Sequence, residues 1–149
     1  MRSHLFSVVM GLTIAGALAA SPVRAVPNDE IRRVFSQFIA VQNAHDIDGV
    51  RKILSDSPDF LWILPGHVVR DQRAALDGLR ELFKTKWHVD PDWSTFQVQG
   101  LDVSSAEIFV RVSISGDARI RIAQLNLVLV DTPRGWRVLS VVFSDLPRT

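Results

Sequence analysis

The chain predicts an α+β fold in which about three N-terminal helices pack on one curved, mixed or antiparallel β-sheet. Two observations carry this. Between residues 28 and 83 apolar residues recur at helical spacing, interrupted once by a short apolar run that ends in Pro65-Gly66. From Phe96 onward apolar and polar residues alternate through four successive stretches separated by turn residues, the pattern of long paired strands.

Residues 1–25 read as an export signal. Arg2 and His4 open the chain, Leu5 to Ala20 is almost wholly apolar, and Val23-Arg24-Ala25 fits the small-x-small rule for cleavage after Ala25. The apolar run of 16 residues is shorter than the ~20 a membrane-spanning helix needs. The reading is a periplasmic or secreted protein with no membrane attachment after cleavage. The chain has no cysteine, which excludes disulfides, thiol chemistry and a lipid anchored on Cys. Residues 26–149 are long enough for one domain with a real core. Losing Arg2 and Arg24 leaves 15 Lys and Arg against 16 Asp and Glu. With no basic cluster on any predicted face, nucleic-acid binding has no support.

The first helix opens at Pro27-Asn28-Asp29-Glu30, its acids at the positive end of the helix dipole. Ile31, Val34, Phe35, Phe38, Ile39 and Gln42 form one stripe, the ordinary signature of a core-facing helix. Asp46 is placed to cap a second helix over IDGVRKILS, which Ser57-Pro58 ends. PDFLWILPG reads as a strand, and His67 to Arg70 as its return. Asp71 is placed to cap a third helix whose apolar face is Ala75, Leu76, Leu79, Leu82 and Phe83. Residues 85–96, TKWHVDPDWSTF, look too irregular for an element and read as a loop. The stretches TFQVQGLDV, AEIFVRVSIS, DARIRIAQLNLVLV and GWRVLSVVFS follow as strands, with a hairpin loop at Asp131 to Gly135.

The third of those strands has two apolar faces. Ile120, Ile122, Gln124, Asn126, Val128 and Val130 share one side; Arg119, Arg121, Ala123, Leu125, Leu127 and Leu129 share the other. A sheet covered by helices on one side leaves the second apolar face to be covered by something else. The expectation is a homodimer through Leu125, Leu127, Leu129, Val141 and Phe143, with Gln124 and Asn126 facing the helices.

The segment NAHDIDGVRKILSDSPDFLWILPG, 43–66, and the closing GWRVLSVVFS, 135–144, resemble the SnoaL-like and ketosteroid-isomerase-like members of the nuclear transport factor 2-like superfamily. One departure is Asp71, where many members carry glycine before the third helix. The resemblance implies a cystatin-like cone with a pocket at its wide end and frequent dimers through the sheet. It also implies that the steroid-isomerase base position is Leu64, the helix-one oxyanion donor position is Phe38 and the second donor position is Asn126. Leucine cannot accept a proton and phenylalanine cannot donate one, so steroid isomerisation by that route is excluded on the resemblance.

The expected pocket lining is Phe35, Phe38, Trp62, Leu64, Trp87, Asn126 and Val128, with His67, His88 and Gln124 as further polar groups. His67 follows the Pro65-Gly66 turn and could serve as a general base; in the bland reading it is a solvated turn residue. His45, next to the Asp46 cap, reads as surface. His88, Asp90 and Asp92 share a stretch but offer too few ligands for a metal site. No serine sits in a nucleophile elbow and no glycine cluster makes a phosphate cradle. The sequence therefore points to an exported protein that holds a small hydrophobic ligand or serves an accessory role, with no cofactor. The alternative is a SnoaL-like enzyme using His67 or His88 as acid or base. Export predicts that intact mass of the periplasmic protein begins at Val26; a retained Met1 in the membrane fraction contradicts it.

Overall fold

The structure, a computed structural model, describes residues 26–116 and 119–146. The expected export segment lies outside them. Three helices, α1 (Asn28–Asn43), α2 (Ile47–Ile53) and α3 (Gln72–Leu82), accompany six strands: β1 (Leu61–Leu64), β2 (His67–Val69), β3 (Trp87–Gly100), β4 (Ser105–Gly116), β5 (Arg119–Thr132) and β6 (Gly135–Asp145). The strands form one mixed sheet in the order β2-β1-β6-β5-β4-β3, parallel only between β1 and β6. This is the α+β cone, with the helices on one face of an open sheet.

Both expected caps form. The Asp46 carboxylate accepts a 3.0 Å bond from the Gly49 N–H, and that of Asp71 accepts a 2.7 Å bond from the Ala74 N–H. Gly66, at φ 77°, makes the tight β1–β2 turn that a Cβ would strain. The end of α2 is tied to the sheet where the Ser55 N–H donates to the Val138 carbonyl at 2.8 Å.

The stretch expected as a loop, 85–96, is instead the first half of β3. Trp87, Val89 and Pro91 alternate with His88, Asp90 and Asp92 and pair with β4 from Gly116 to Arg111. The proline is tolerated because β3 is an edge strand, where a missing N–H breaks no central ladder. The register shifts between Asp92 and Gln97, and the bulged residues Trp93 and Phe96 pack on Phe35 of α1 at ring-centroid distances of 5.5 and 5.2 Å. The Arg32 guanidinium covers Trp93 at 4.5 Å.

The sheet faces are the reverse of those expected. Leu125, Leu127, Leu129 and Val141 are fully buried in a single chain, on the helix-facing side with Ala106, Ile108, Val110 and Val112 of β4. They are core residues, not an intersubunit contact. Phe143, opposite Leu125, also faces the helices. Gln124, Asn126 and Val128 face outward, half-buried, opposite Arg111, Phe109 and Glu107. Counting back from a hairpin and missing one residue turns a strand over completely. A bulge in β6 compounds this. The register shift at Val128/Leu129 puts both Val138 and Val141 inside, three residues apart, which strict alternation forbids.

The outer face carries its own apolar row. Register places Val68, Ile63, Val142, Asn126 and Phe109 side by side across β2, β1, β6, β5 and β4. Asn126 Oδ1 is shielded there with no hydrogen-bond partner among the described residues.

The placement of Leu127 is directly testable. Leu127→Ala leaves a core cavity and should lower unfolding free energy by about 2–5 kcal/mol. Chemical denaturation should show that loss equally at every protein concentration. An unchanged midpoint with altered sedimentation would instead return Leu127 to an intersubunit contact.

Candidate functional site

A cavity of about 560 Å³ lies between the helices and the inner face of the sheet, a size suited to a small-molecule ligand. α1 contributes Phe38, Ile39 and Gln42, and α3 contributes Ala75, Gly78, Leu79 and Leu82. Trp62 and Leu64 of β1, Val69 of β2, Val89 of β3, Ile114 of β4 and Phe143 of β6 complete the apolar wall. The cavity exists because α1 does not fill the inner face. The middle of the helix is seated on Trp93 and Phe96 through Phe35. Its C-terminal end is fixed by Asn43, whose side chain bonds both backbone groups of Val89 at 2.8 Å, acting as a short substitute strand on the edge of β3.

The sequence-predicted residues divide cleanly. Phe38, Trp62, Leu64, Trp87 and His67 line the cavity. Phe35 is buried in the core beside it, against Trp93 and Phe96. Asn126, Val128 and Gln124 are on the outer face and are withdrawn as pocket residues, because the sheet lies between them and the cavity. His88 also leaves the cavity. It sits on a neighbouring shallow depression with Lys86 and Arg119, its Nε2 3.5 Å from Asn43 Nδ2. His45, expected at the surface, is half-buried between Phe83 and Trp87, with ring centroids at 4.9 and 5.1 Å. It adopts φ 52° at the α1–α2 corner, and its Nε2 lies 3.3 Å from the Trp87 carbonyl oxygen. This stack supports the cavity wall from behind.

Three polar features were not singled out from sequence. Gln42 is 4 % exposed and lines the cavity, with its Nε2 unpartnered among the described residues. Its signal was available: it is the one polar member of the buried α1 stripe. The indole Nε1 groups of Trp62 and Trp87 are likewise shielded and without an acceptor. An N–H in that condition costs about 1–3 kcal/mol. Finally, Lys86 and Arg121 line the cavity and are exposed. The reversed reading of β5 hid Arg121, which is on the inner side opposite Ile114.

Among the described residues no carboxylate lines the cavity. Three acids are held below the ordinary carboxylate range, all elsewhere. For Asp56 the main cause is a hydrogen bond from the Arg134 guanidinium, for Asp92 one from the Ser94 hydroxyl, and for Asp102 one from the Ser104 backbone N–H. Among the described residues no group of three His, Cys, Asp or Glu is placed to hold a metal ion.

An α+β cone with an apolar cavity between its helices and sheet defines a pocket protein. The model of the SnoaL-like domain matches residues 31–149, and the chain belongs to that family, within the nuclear transport factor 2-like superfamily. A superfamily protein from Salmonella enterica serovar Typhimurium LT2 is similar with a TM-score of 0.73 at 17% identity, over 81% of this chain and 92% of that one. A cystatin-like protein from Caulobacter vibrioides gives 0.70 at 15%, over 80% and 89%. A candidate dehydratase of the superfamily from Streptomyces avermitilis gives 0.71 at 13%, over 80% and 96%. At these identities the likeness shows the fold. No curated protein matches the sequence. The family comprises pocket proteins and enzymes of isomerase or dehydratase type.

Gly78 offers a clean handle on the cavity. It lines the cavity from α3, and a Cβ added there meets nothing within 4 Å. Gly78→Ala should raise stability by roughly 0.5–1 kcal/mol, the usual gain for a helix interior. Gly78→Phe should fold and occupy the cavity. A lowered melting temperature in Gly78→Ala would show that the site is not open.

Proposed function

We propose that this protein is an exported ligand carrier or accessory protein that holds a small, largely apolar molecule. The carrying observation is the cavity of about 560 Å³ itself, walled mainly by apolar side chains. Apolar area removed from water supplies most of the affinity, at ~25 cal/mol per Å² before binding costs. Gln42, the polar residue of the α1 wall, chiefly sets the orientation of a polar ligand. Leu64 and Phe38 at the cavity wall support a site without the isomerase base and donor.

The test is titration with a neutral fluorescent probe, N-phenyl-1-naphthylamine, displaced by matched ligands. Wild type should bind it and Gly78→Phe should not. Gln42→Leu should weaken a hydroxyl-bearing ligand by about five- to tenfold, the worth of one hydrogen bond, and leave a hydrocarbon of the same shape bound. Equal probe binding by wild type and a folded Gly78→Phe would refute the site.

A second reading is favoured by one observation: His67 lines the cavity. In it the imidazole acts as a general base on a carbonyl-containing substrate. Steroid double-bond isomerisation by wild type, abolished in His67→Ala, would establish that reading against the first.

The same proposal includes a homodimer, now through the outer row Val68, Ile63, Val142, Asn126 and Phe109. An apolar row of this kind is suited to a second copy. Phe109→Asp should sediment as a folded monomer, since a charge buried without a partner opposes the contact. A wild type that is monomeric at micromolar concentration would remove the dimer.

A further inference from the structure

The cavity is biased in a way that an apolar lining alone does not explain. Gln42 Nε2, Trp62 Nε1 and Trp87 Nε1 in its walls are shielded even from water, so they do not select a ligand. Its exposed charged lining groups are Lys86 and Arg121, with His67 as a further titratable group. Among the described residues no aspartate or glutamate lines it. Lys86 precedes β3 beside Gly116, where a Cβ would come within 3.0 Å of the Lys86 carbonyl. Arg121 projects from β5 in the row Arg121, Ile114, Val89 across the inner face. Among the described residues Arg121 has an ion-pair partner in Asp145, half-exposed, whose Oδ1 is 3.9 Å from Arg121 Nη2. At that distance and exposure the pair is worth little and leaves the guanidinium available.

Two exposed cations in an otherwise apolar lining, with no carboxylate among the described lining residues, call for a negative ligand. We infer that the occupant is a small amphipathic organic carboxylate, with its apolar body in the cavity and its carboxylate against Lys86 and Arg121. Arginine suits this end because its planar fork matches a carboxylate with two parallel bonds, while lysine adds a point charge. The apolar walls lower the local dielectric and strengthen the attraction relative to open water. A ligand amine meets the same two cations as a repulsion, which gives the site discrimination as well as affinity. This deepens the carrier reading and rests on it.

The experiment uses three ligands with one body and different heads: 4-phenylbutyrate, 4-phenylbutanol and 4-phenylbutylamine. Each competes with N-phenyl-1-naphthylamine on the purified protein at low and at high salt. The carboxylate should displace the probe about tenfold more effectively than the alcohol at low salt, with the amine weakest. That preference should shrink in high salt, where exposed charges are screened. Lys86→Gln and Arg121→Gln should each reduce it by about threefold and together erase it, with melting temperature unchanged. Both side chains are exposed, so the core is untouched by either change. Equal displacement by carboxylate and alcohol, with the probe still excluded by Gly78→Phe, would overturn the carboxylate inference and leave the pocket standing. Probe binding that ignores Gly78→Phe would overturn the carrier reading itself.

Discussion

The bond pair between Asn43 and the backbone of Val89 is the constraint on which the site depends. It joins the last turn of α1 to the exposed edge of β3, at 2.8 Å in both directions. Midway along the helix, Phe35 is packed among Trp93 and Phe96. A helix held at its middle and at its C-terminal end over a sheet leaves an unfilled volume beside it, and α3 closes that volume from the far side. The His45 stack on Phe83 and Trp87 holds the corner rigid. The cavity is thus a product of where the helices are anchored.

Energetically the same arrangement separates stability from binding. The core proper lies beneath α1 and α2, in Ile31, Phe35, Val50 and the inner leucines of β5, all essentially without solvent contact. The cavity takes its walls from the margin of that core, where Leu64 and Leu82 are 37% and 44% exposed. Apolar surface left in contact with water at the margin is free energy available to a ligand.

Much of this was legible in the sequence. Asp46 and Asp71 announced their helices because an N-cap is a local interaction, set within three residues. The α1 stripe announced the core, and Pro65-Gly66 the hairpin. The loss of β3 as a loop has a definite cause: Pro91 and the acids around it conceal the alternation of Trp87 and Val89, and a proline is permitted there only because the strand is an edge. The faces of β5 were not legible. Both are apolar near the hairpin, so periodicity gives two sets of residues without saying which meets the helices. Gln124 and Asn126 mark the outward one, a signal outweighed by matching Asn126 to a family position. That choice displaced three site residues, Gln124, Asn126 and Val128, and concealed Arg121. Gln42, by contrast, was visible as a polar residue on a buried stripe. The indole donors required coordinates, because whether a Trp N–H has a partner is a property of its neighbours in space.

The four tryptophans provide the most direct measurement of the central claim, that the apolar body of a small ligand lies in the cavity walled by Trp62 and Trp87. A ¹H–¹⁵N spectrum of the protein resolves one indole N–H per tryptophan. On titration with 4-phenylbutyrate, the Trp62 and Trp87 indole signals should move strongly and saturably. Those of Trp93, packed on Phe35, and Trp136, buried in β6, should remain in place. Shifts confined to Trp93 or Trp136, or no saturable shift at any indole, would contradict it.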